Sequence, residues 1–594
     1  MDKEMKKGFT LIELLAVIVI LTIIALIATP MILGVIEKAK KGAAIESVNG
    51  ILDVAEKYEI MNITSEITRF EFPDNELKYK GQKPESGTLI IDSKGNTSIT
   101  VKINGYCIRK RFSENKPEII ETEECKIETT EEIISNNYKE TILNGAYPEI
   151  KGELIPVTIS SNGTVTYADV KEEWYNYENK TWANAIILKD NVTHNVGEVI
   201  PESDIKQYYV WIPRYRYELW NVNGESKFSN GTSESAINIV FESKNTAISN
   251  GTQNGEWLTH PAFTSFNTNG IWVGKYETSY DEETYTNSSK FLTTNPNYTS
   301  ATNASNIIIK PNVRSLTNKT VSEFYTLGRG VNESLNSHMM KNSEWGAVAY
   351  LTYSLYGKCT ETGCEEVYIN NINTGYLNST SKFSGQWDYS GSITGCSAST
   401  ASAGVSSNQS SCASGYAYNE SSNKASTTGN ISGIYDMSGG AWEYVMGVIQ
   451  DVSGKPISGR NNTYNSGFNG TYGCPTCDNQ TATSKTNGIA FPTDTRYYDL
   501  YVPNSTTLGD NTWYKYTNSK LGDASKEVAI SKTNNSSGDR GLWFSDYAFF
   551  PAATHPWIGR GGNFNYGSGA GVFNFDRARG SASSYNGFRV VLAY

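Results

Sequence analysis

Twenty-three consecutive residues, Leu14–Ile36, carry no charged side chain, and a carboxylate, Glu13, stands directly at their start. As a helix this run rises ~35 Å, enough to cross the hydrocarbon core of a bilayer. A carboxylate beside such a run is costly unless something pairs with it. The first element is therefore a long helix that lipid or other apolar chains must cover. An ordinary secretory signal would place a small-residue cleavage site after the apolar run. No A-x-A-like site follows here, and the small residue, Gly8, comes first, behind the leader "MDKEMKK". Pro30 lacks an N–H, so the Leu26 carbonyl loses its helical partner and a bend or melted turn is expected. Lysines flank both ends (Lys3, Lys6 and Lys7, then Lys38, Lys40 and Lys41), so the basic-residue count does not orient the segment.

The stretch "KGFTLIELLAVIVILTIIALIATP", Lys7–Pro30, resembles the leader of type IV prepilins, and the resemblance covers roughly residues 1–60. It implies that a prepilin peptidase cuts between Gly8 and Phe9, that Phe9 becomes an N-methylated terminus, and that Glu13 is the fifth residue of the mature chain. Glu13 would then pair with the terminal ammonium of a neighbouring pilin subunit, a charge paired where it would otherwise be buried alone. The implied location is the cytoplasmic membrane before assembly and an extracellular pilus afterwards. A plain membrane anchor with a stray glutamate is the alternative. On this reading residues 1–8 are the leader and 9–62 the pilin helix.

Beyond the apolar run, Ile45, Val48, Leu52 and Ala55 recur at helical spacing and predict a face packed on a core. The β-rich words "GTLIID", "TSITVKI" and "YCIRKRF", with an "SKGN" turn, predict a small antiparallel sheet. Together these make a pilin-like head over residues 63–125, with Arg109–Phe112 as a basic strand edge. Eight cysteines fall in close pairs, Cys107/Cys125, Cys359/Cys364, Cys396/Cys412 and Cys474/Cys477, which suggests four disulfides and an oxidising compartment. The "CPTC" pair could also be a zinc half-site or a redox pair, although no second CxxC completes a metal site. Residues 126–200 read as an acidic connector followed by a small β-rich spacer, with an "NG" hairpin turn.

Net charge is −11 and only 19% of residues are charged, which leaves no basic footprint for duplex nucleic acid. Aromatic residues make up 12% of the chain, ample for packed cores. From about residue 201 short apolar words alternate with Asn/Ser/Gly-rich loops. The order of these words resembles the formylglycine-generating-enzyme-like family, whose fold is related to C-type lectins. The resemblance rests on Asp436–Tyr444 ("DMSGGAWEY"), Arg560–Phe564 ("RGGNF") and Gly587–Val591 ("GFRVV"). "SEWGAVAYL" is similar to the family's helix bearing a Glu-Trp pair. Here Glu344 reads as a helix cap, and Trp345, Ala347, Val348 and Leu351 read as core.

The family's oxidase needs two carboxyl-terminal thiolates that bind copper. The matching positions are about Tyr566 and Gly571, and no cysteine follows Cys477, so neither copper nor that activity is expected. His194, His260, His338 and His555 have no metal-ligand spacing, and His260 and His555, each before a proline, read as turn residues. In the family the "DMSGGAWE" loop binds calcium, which carries over to Asp436, Gly439, Ala441 and Glu443, the alternative being a plain turn with Trp442 in the core; Gly440 stands where the family usually has Asn.

Between "RGGNF" and "GFRVV" lie Asn565, Tyr566, Ser568, Asn574, Asp576, Arg577, Ser581, Ser583 and Tyr585, with Asn563 just before them. Such residue types make adaptable binding surfaces. The arrangement is similar to variable proteins of diversity-generating retroelements. The expectation is an α+β chain: a long helix with a small pilin head, a β-rich spacer, and a large C-type-lectin-like display domain over 201–594. Its function would be that of a minor, tip-located type IV pilin binding a glycan or protein ligand, because so bulky a domain would crowd a filament shaft. A surface-anchored enzyme on the same fold and a pseudopilin of a secretion or DNA-uptake system are the rival readings.

Overall fold

The computed structural model describes residues 10–61, 68–73, 77–91, 97–111, 116–120, 141–224, 234–281, 302–371, 392–402, 423–451, 453–459, 464–472, 484–502, 521–528 and 539–594. The chain forms two compact units, Met1–Lys139 and Glu140–Tyr594.

The first unit opens with helix α1, Leu11–Met61. Thr10 and Glu13 start it with a capping box. The Glu13 carboxylate accepts the Thr10 N–H (2.9 Å) and hydroxyl (2.8 Å), and the Thr10 hydroxyl accepts the Glu13 N–H (3.3 Å). Glu13 thus has a local partner in the single chain. The helix runs unbroken through position 30, which corrects the melted turn expected at Pro30. A proline removes one hydrogen bond, and the helix resumes on both sides of that gap. Leu14, Leu15, Val17–Leu21 and Ile23 are exposed. Among the described residues no helix is long and apolar enough to cross a membrane; the side chains of residues 24, 25 and 27–32, inside the apolar run, lie outside the description.

Further along α1 the environment changes. Ala44, Ser47, Val48, Ile51, Leu52 and Ala55 are buried. They pack on an antiparallel sheet in the order β1 (Thr68–Phe72), β2 (Ser86–Ile91), β3 (Thr97–Ile103), β4 (Tyr106–Lys110) and β5 (Glu118–Ile120). Ile45, expected on the buried stripe, is only half-buried, and Ala44 and Ile51 take the seam beside Val48, Leu52 and Ala55. The facing residues include Phe70, Leu89, Ile99, Val101 and Ile108, alternating along their strands so that one face meets the helix. The basic edge is occupied: Arg109 pairs with Glu118 across β4 and β5 (3.8 Å), and Lys110 donates to the Thr97 carbonyl (2.9 Å). Phe112 and the "SKGN" turn lie outside the described residues.

The second unit is built on an eight-stranded antiparallel sheet. Its order is His338–Met339, Val590–Leu592, Gly270–Gly274, Ile205–Pro213, Asn184–Leu188, Ile155–Ile159, Val165–Tyr167 and Val199–Ile200. The separate spacer expected over 126–200 is therefore corrected. Its strands extend this sheet, and one core runs from Leu143 to Ala593. The physical reason lies in the Asn184–Leu188 strand, where Ala185 and Ile186 are fully buried and must be covered on both faces. The predicted "NG" hairpin does form, pairing Ile159 with Val165. Trp211 and Trp272 face each other across the central strands, with ring centroids 5.2 Å apart.

A second sheet of seven strands is mixed. Its Trp442–Ile449 strand pairs in parallel with Asn586–Phe588 and Asp499–Tyr501, and antiparallel with Trp557–Arg560, which in turn pairs with Phe575–Ala578. Two helices pack beside the sheets. Val321–Gly330 begins with a capping box between Thr320 and Glu323. Thr320→Ala is expected to cost about 1 kcal/mol in a urea denaturation series. Asn342–Thr352 is buried on every side, with Trp345, Ala347, Val348 and Leu351 in the core as the sequence suggests. Glu344 accepts the Lys341 N–H (2.8 Å) and pairs with His338 (3.0 Å) and Lys341 (3.3 Å).

Cys359 and Cys364 form a disulfide within a short hairpin. Cys107 and Cys396 are also disulfide-bonded. Cys125, Cys412, Cys474 and Cys477 lie outside the described residues.

Candidate functional site

Strand alternation decides which side chains reach solvent on the second sheet. Glu443 points inward to Arg589, so its neighbour Trp442 points outward. Trp442 lies over Gly559, where a Cβ would come within 3.3 Å of the indole; any larger residue would displace the ring. Gly559 pairs with Asp576 on the next strand, and Asp576 and Arg577 open beside the tryptophan. The loop after this strand, residues 580–586, is pinned from behind. Gly580 O accepts the Val321 N–H (3.1 Å), Ser583 O accepts the Asn318 N–H (2.9 Å), and Ser581 O accepts the Tyr444 hydroxyl (3.0 Å).

The result is a groove of about 360 Å³. Trp442, Asp576, Arg577, Arg579, Ser581 and Ser583 supply its main chemistry, and Tyr444, His555 and Asn586 also line it. Tyr566 packs edge-on to Trp442 (4.9 Å) and extends the aromatic wall. Arg577 stacks over Phe549 (4.0 Å) and Arg579 over Tyr464 (4.4 Å), which holds both guanidinium planes in place. Arg579 Nε donates to His555 Nε2 (3.1 Å), so the imidazole proton sits on Nδ1, facing the Thr554 hydroxyl (2.9 Å). Burial pushes the Asp576 carboxyl up to about 7, against the pull of the Arg577 N–H and charge and of the Tyr566 hydroxyl. The groove thus offers an aromatic platform, two fixed cations, one carboxyl that takes up a proton near neutrality, and hydroxyl and amide groups.

Four of the ten expected face residues, Asp576, Arg577, Ser581 and Ser583, line this groove. Tyr566 and Tyr585 are half-buried beside it, and Asn565 and Ser568 are exposed. Asn563 is buried, and its side-chain oxygen accepts the Asn565 N–H (3.0 Å), shaping a turn. Asn574 is a correction: it is fully buried and donates to the Gly569 carbonyl, so it holds the loop from inside. Trp442, His555 and Arg579 were not singled out as site residues. The alternation about Glu443 was the available signal for Trp442, whereas nothing local marks Arg579. His260 is a turn residue as expected, capping the short helix Pro261–Phe263.

The loop implied to bind calcium is wired to protein groups. Asp436 accepts from Asn370 Nδ2 (2.9 Å) and from the Gly395 N–H (2.9 and 3.0 Å). Both oxygens of Glu443 accept from Arg589, and the Ala441 N–H donates to Glu277 (2.7 Å). At Gly440, which has φ +70°, a Cβ would lie 2.2 Å from Glu277 Oε1, so a side chain there requires Glu277 to move. Asp436 and Glu443 thus each hold protein partners in this structure. Among the described residues no group of three or more His, Cys, Asp or Glu is placed to hold a metal.

The oxidase positions are equally specific. Tyr566 belongs to the aromatic wall, and a Cβ at Gly571 would meet the Asp546 carboxylate at 2.1 Å. Neither of these two positions carries a thiol.

Residues 5–29 match the family model described as the prokaryotic N-terminal methylation motif. No curated protein matches the chain. The amino-terminal segment thus resembles a prepilin-like methylation segment; Gly8 and Phe9 lie within the match but outside the described residues.

Proposed function

We propose that the chain is a type IV pilin subunit, minor and placed at the filament tip, whose carboxyl-terminal unit displays a ligand-binding groove for adhesion. The observation that carries this reading is the groove itself, which forms where the segment between "RGGNF" and "GFRVV" meets Trp442, Tyr444, His555 and Gly559. Prepilin peptidase would cut at Gly8/Phe9. The exposed apolar side chains of α1 suit first the membrane and then neighbouring pilin helices, with Glu13 leaving its capping box to pair with the terminal ammonium of another subunit.

A C-type-lectin-like fold for the second unit is supported by the three words that carry the resemblance. Trp442–Tyr444 lies between Asn586–Phe588 on one side and Gly559–Arg560 on the other. Genetic diversification of the face would fall on the solvent-facing set, Asn565, Tyr566, Ser568, Arg577, Ser581, Ser583 and Tyr585. It would spare Asn574, whose change would unfold the loop.

The ligand reading rests on an aromatic platform beside fixed polar groups, a combination suited to a sugar ring or an extended peptide. The test is capture by the full chain, held in detergent, on arrays of glycans and host-matrix proteins. Trp442→Ala and Arg577→Ala should each weaken specific capture about tenfold or more. Parallel assays with chelator read any calcium contribution through the Asp436–Glu443 loop separately. A well-folded protein that captures nothing, or capture unchanged in both variants, would overturn the adhesin reading.

A further inference from the structure

A second site lies apart from the groove, where the Cys359–Cys364 hairpin meets residues 423–429. The two enclose a pocket of about 700 Å³. Lys180, Lys358 and Lys424 all line it, and Glu365 is the one carboxylate among its lining residues, a local excess of positive charge on a chain of net charge −11.

Lys358 is the central group. Its side chain keeps 4% of its exposure, whereas its partner Glu365 keeps 85%. Their contact, 3.3 Å, is the one hydrogen bond of the Lys358 ammonium among the described residues. An ammonium carries three donors, so two of them have no hydrogen-bond partner among the described residues. A water-exposed carboxylate compensates a buried cation poorly.

The neighbours are fixed around it. Lys180 donates to the Cys359 carbonyl (2.8 Å), a residue tied down by its disulfide. Lys424 sits over the Tyr368 ring (5.2 Å). Asn423 accepts the Tyr435 hydroxyl on its side-chain oxygen (2.8 Å) and lines the same space. Burial holds the Lys358 amine below its ordinary range. The Glu365 carboxylate opposes this, and the charges of Lys180 and Lys424 add to it. Holding three cations this close costs free energy that an entering anion returns.

We propose that this pocket binds a sulfate or phosphate ester group carried on a saccharide, with Lys358 as its central contact and Lys180, Lys424 and Asn423 around it. The volume exceeds what one tetrahedral anion fills and leaves room for part of the carrier beside its ester. The site would add a second, charge-selective contact to whatever the groove holds, and it stands whether or not the groove binds a ligand.

The experiment is calorimetric titration of the full chain in detergent at low ionic strength. The probes are N-acetylglucosamine 6-sulfate, the unsulfated sugar, and inorganic phosphate. Saturable binding of the sulfated sugar is expected, with the unsulfated sugar silent. Tighter binding of the sulfated sugar than of phosphate supports the saccharide-borne ester; equal binding overturns that part and leaves a site for the free anion. Lys358→Met should weaken binding about tenfold or more, the scale of a hydrogen bond to a charged group. Because that variant alters a buried residue, two surface changes accompany it. Lys424→Gln should weaken binding about threefold, and Glu365→Gln should tighten it about threefold. No binding of any anion, or affinity unmoved by both surface changes, overturns the proposal; so does weakening in Glu365→Gln, which would mark the pair as purely structural.

Discussion

Arg589→Met will destabilise the carboxyl-terminal unit by about 4 kcal/mol, enough to lower the yield of folded protein sharply. Arg589 is fully buried, and each of its nitrogens is used. Nε and one terminal nitrogen donate to Glu443, which lies on the second sheet. The other terminal nitrogen reaches the Gly274 carbonyl (2.8 Å) on the first sheet, and the terminal nitrogen that meets Glu443 also donates to the Tyr435 carbonyl (3.0 Å) in the connecting loop. One side chain therefore ties three segments together. It also balances a cluster of buried carboxylates. Burial raises Glu277, and the charges of Asp436 and Glu443 raise it further, while Arg589 pulls it down. Burial likewise raises Glu443 and Asp436, each opposed by Arg589. Without the guanidinium, Glu443 loses its counter-charge and two carbonyls lose their donor. Urea denaturation of the variant should show the loss. The double variant Arg589→Met/Glu443→Gln should recover part of it, because it removes the uncompensated charge. A loss under 1 kcal/mol in the single variant would show that the pair positions the strands without holding them together.

What the sequence disclosed, and what it withheld, follows from the range of each interaction. Helix α1 is legible because a charge-free run and a 3.6-residue stripe are local patterns, and the strands of the first unit are legible for the same reason. The even count and close spacing of the cysteines likewise pointed to the disulfide between Cys359 and Cys364. The placement of Ile155–Ile200 in the large sheet was hidden. Its anchor, Ile205–Pro213, pairs onward with Gly270–Gly274, and that strand pairs with Val590–Leu592 at the end of the chain. The loop Asp436–Glu443 shows the same limit in chemical form. Its carboxylates are close in sequence, whereas the Arg589 that pairs with Glu443 is 146 residues away. Asn574 was read by its residue type as part of the exposed face, whereas the Gly561–Gly571 turn folds over it; Gly561 N–H donates to the Asn574 carbonyl (3.3 Å). The groove is intermediate. Its loop residues were read from composition, but Trp442 needed the inward orientation of Glu443 to be known first.

Glu527→Gln should change the pH dependence of stability more than its value at any one pH. Glu527 is buried among phenols and accepts from the Gly522 N–H (2.6 Å), the Tyr350 hydroxyl (2.8 Å) and the Tyr217 hydroxyl (3.1 Å). Burial outweighs these donors and pushes its carboxyl from 4.5 up to about 7. The folded protein therefore keeps a proton over that interval which the unfolded chain has released. This contribution to stability is fully present below the unfolded value and is lost as pH rises through the folded one. Glutamine has no such proton, so the variant's stability relative to wild type should rise by about 3 kcal/mol between pH 4.5 and pH 8. Other groups titrate in the same range. His260, held near 3 by burial, loses stability as pH falls, and Asp576 and Glu366, both pushed to about 7, lose it as pH rises. They are common to both proteins and cancel in the difference. Urea denaturation of the pair at pH 5, 6, 7 and 8 measures it directly. A difference that stays constant across the series would mean that Glu527 is ionised throughout in the folded state, with the Tyr217 and Tyr350 hydroxyls supplying what burial takes away.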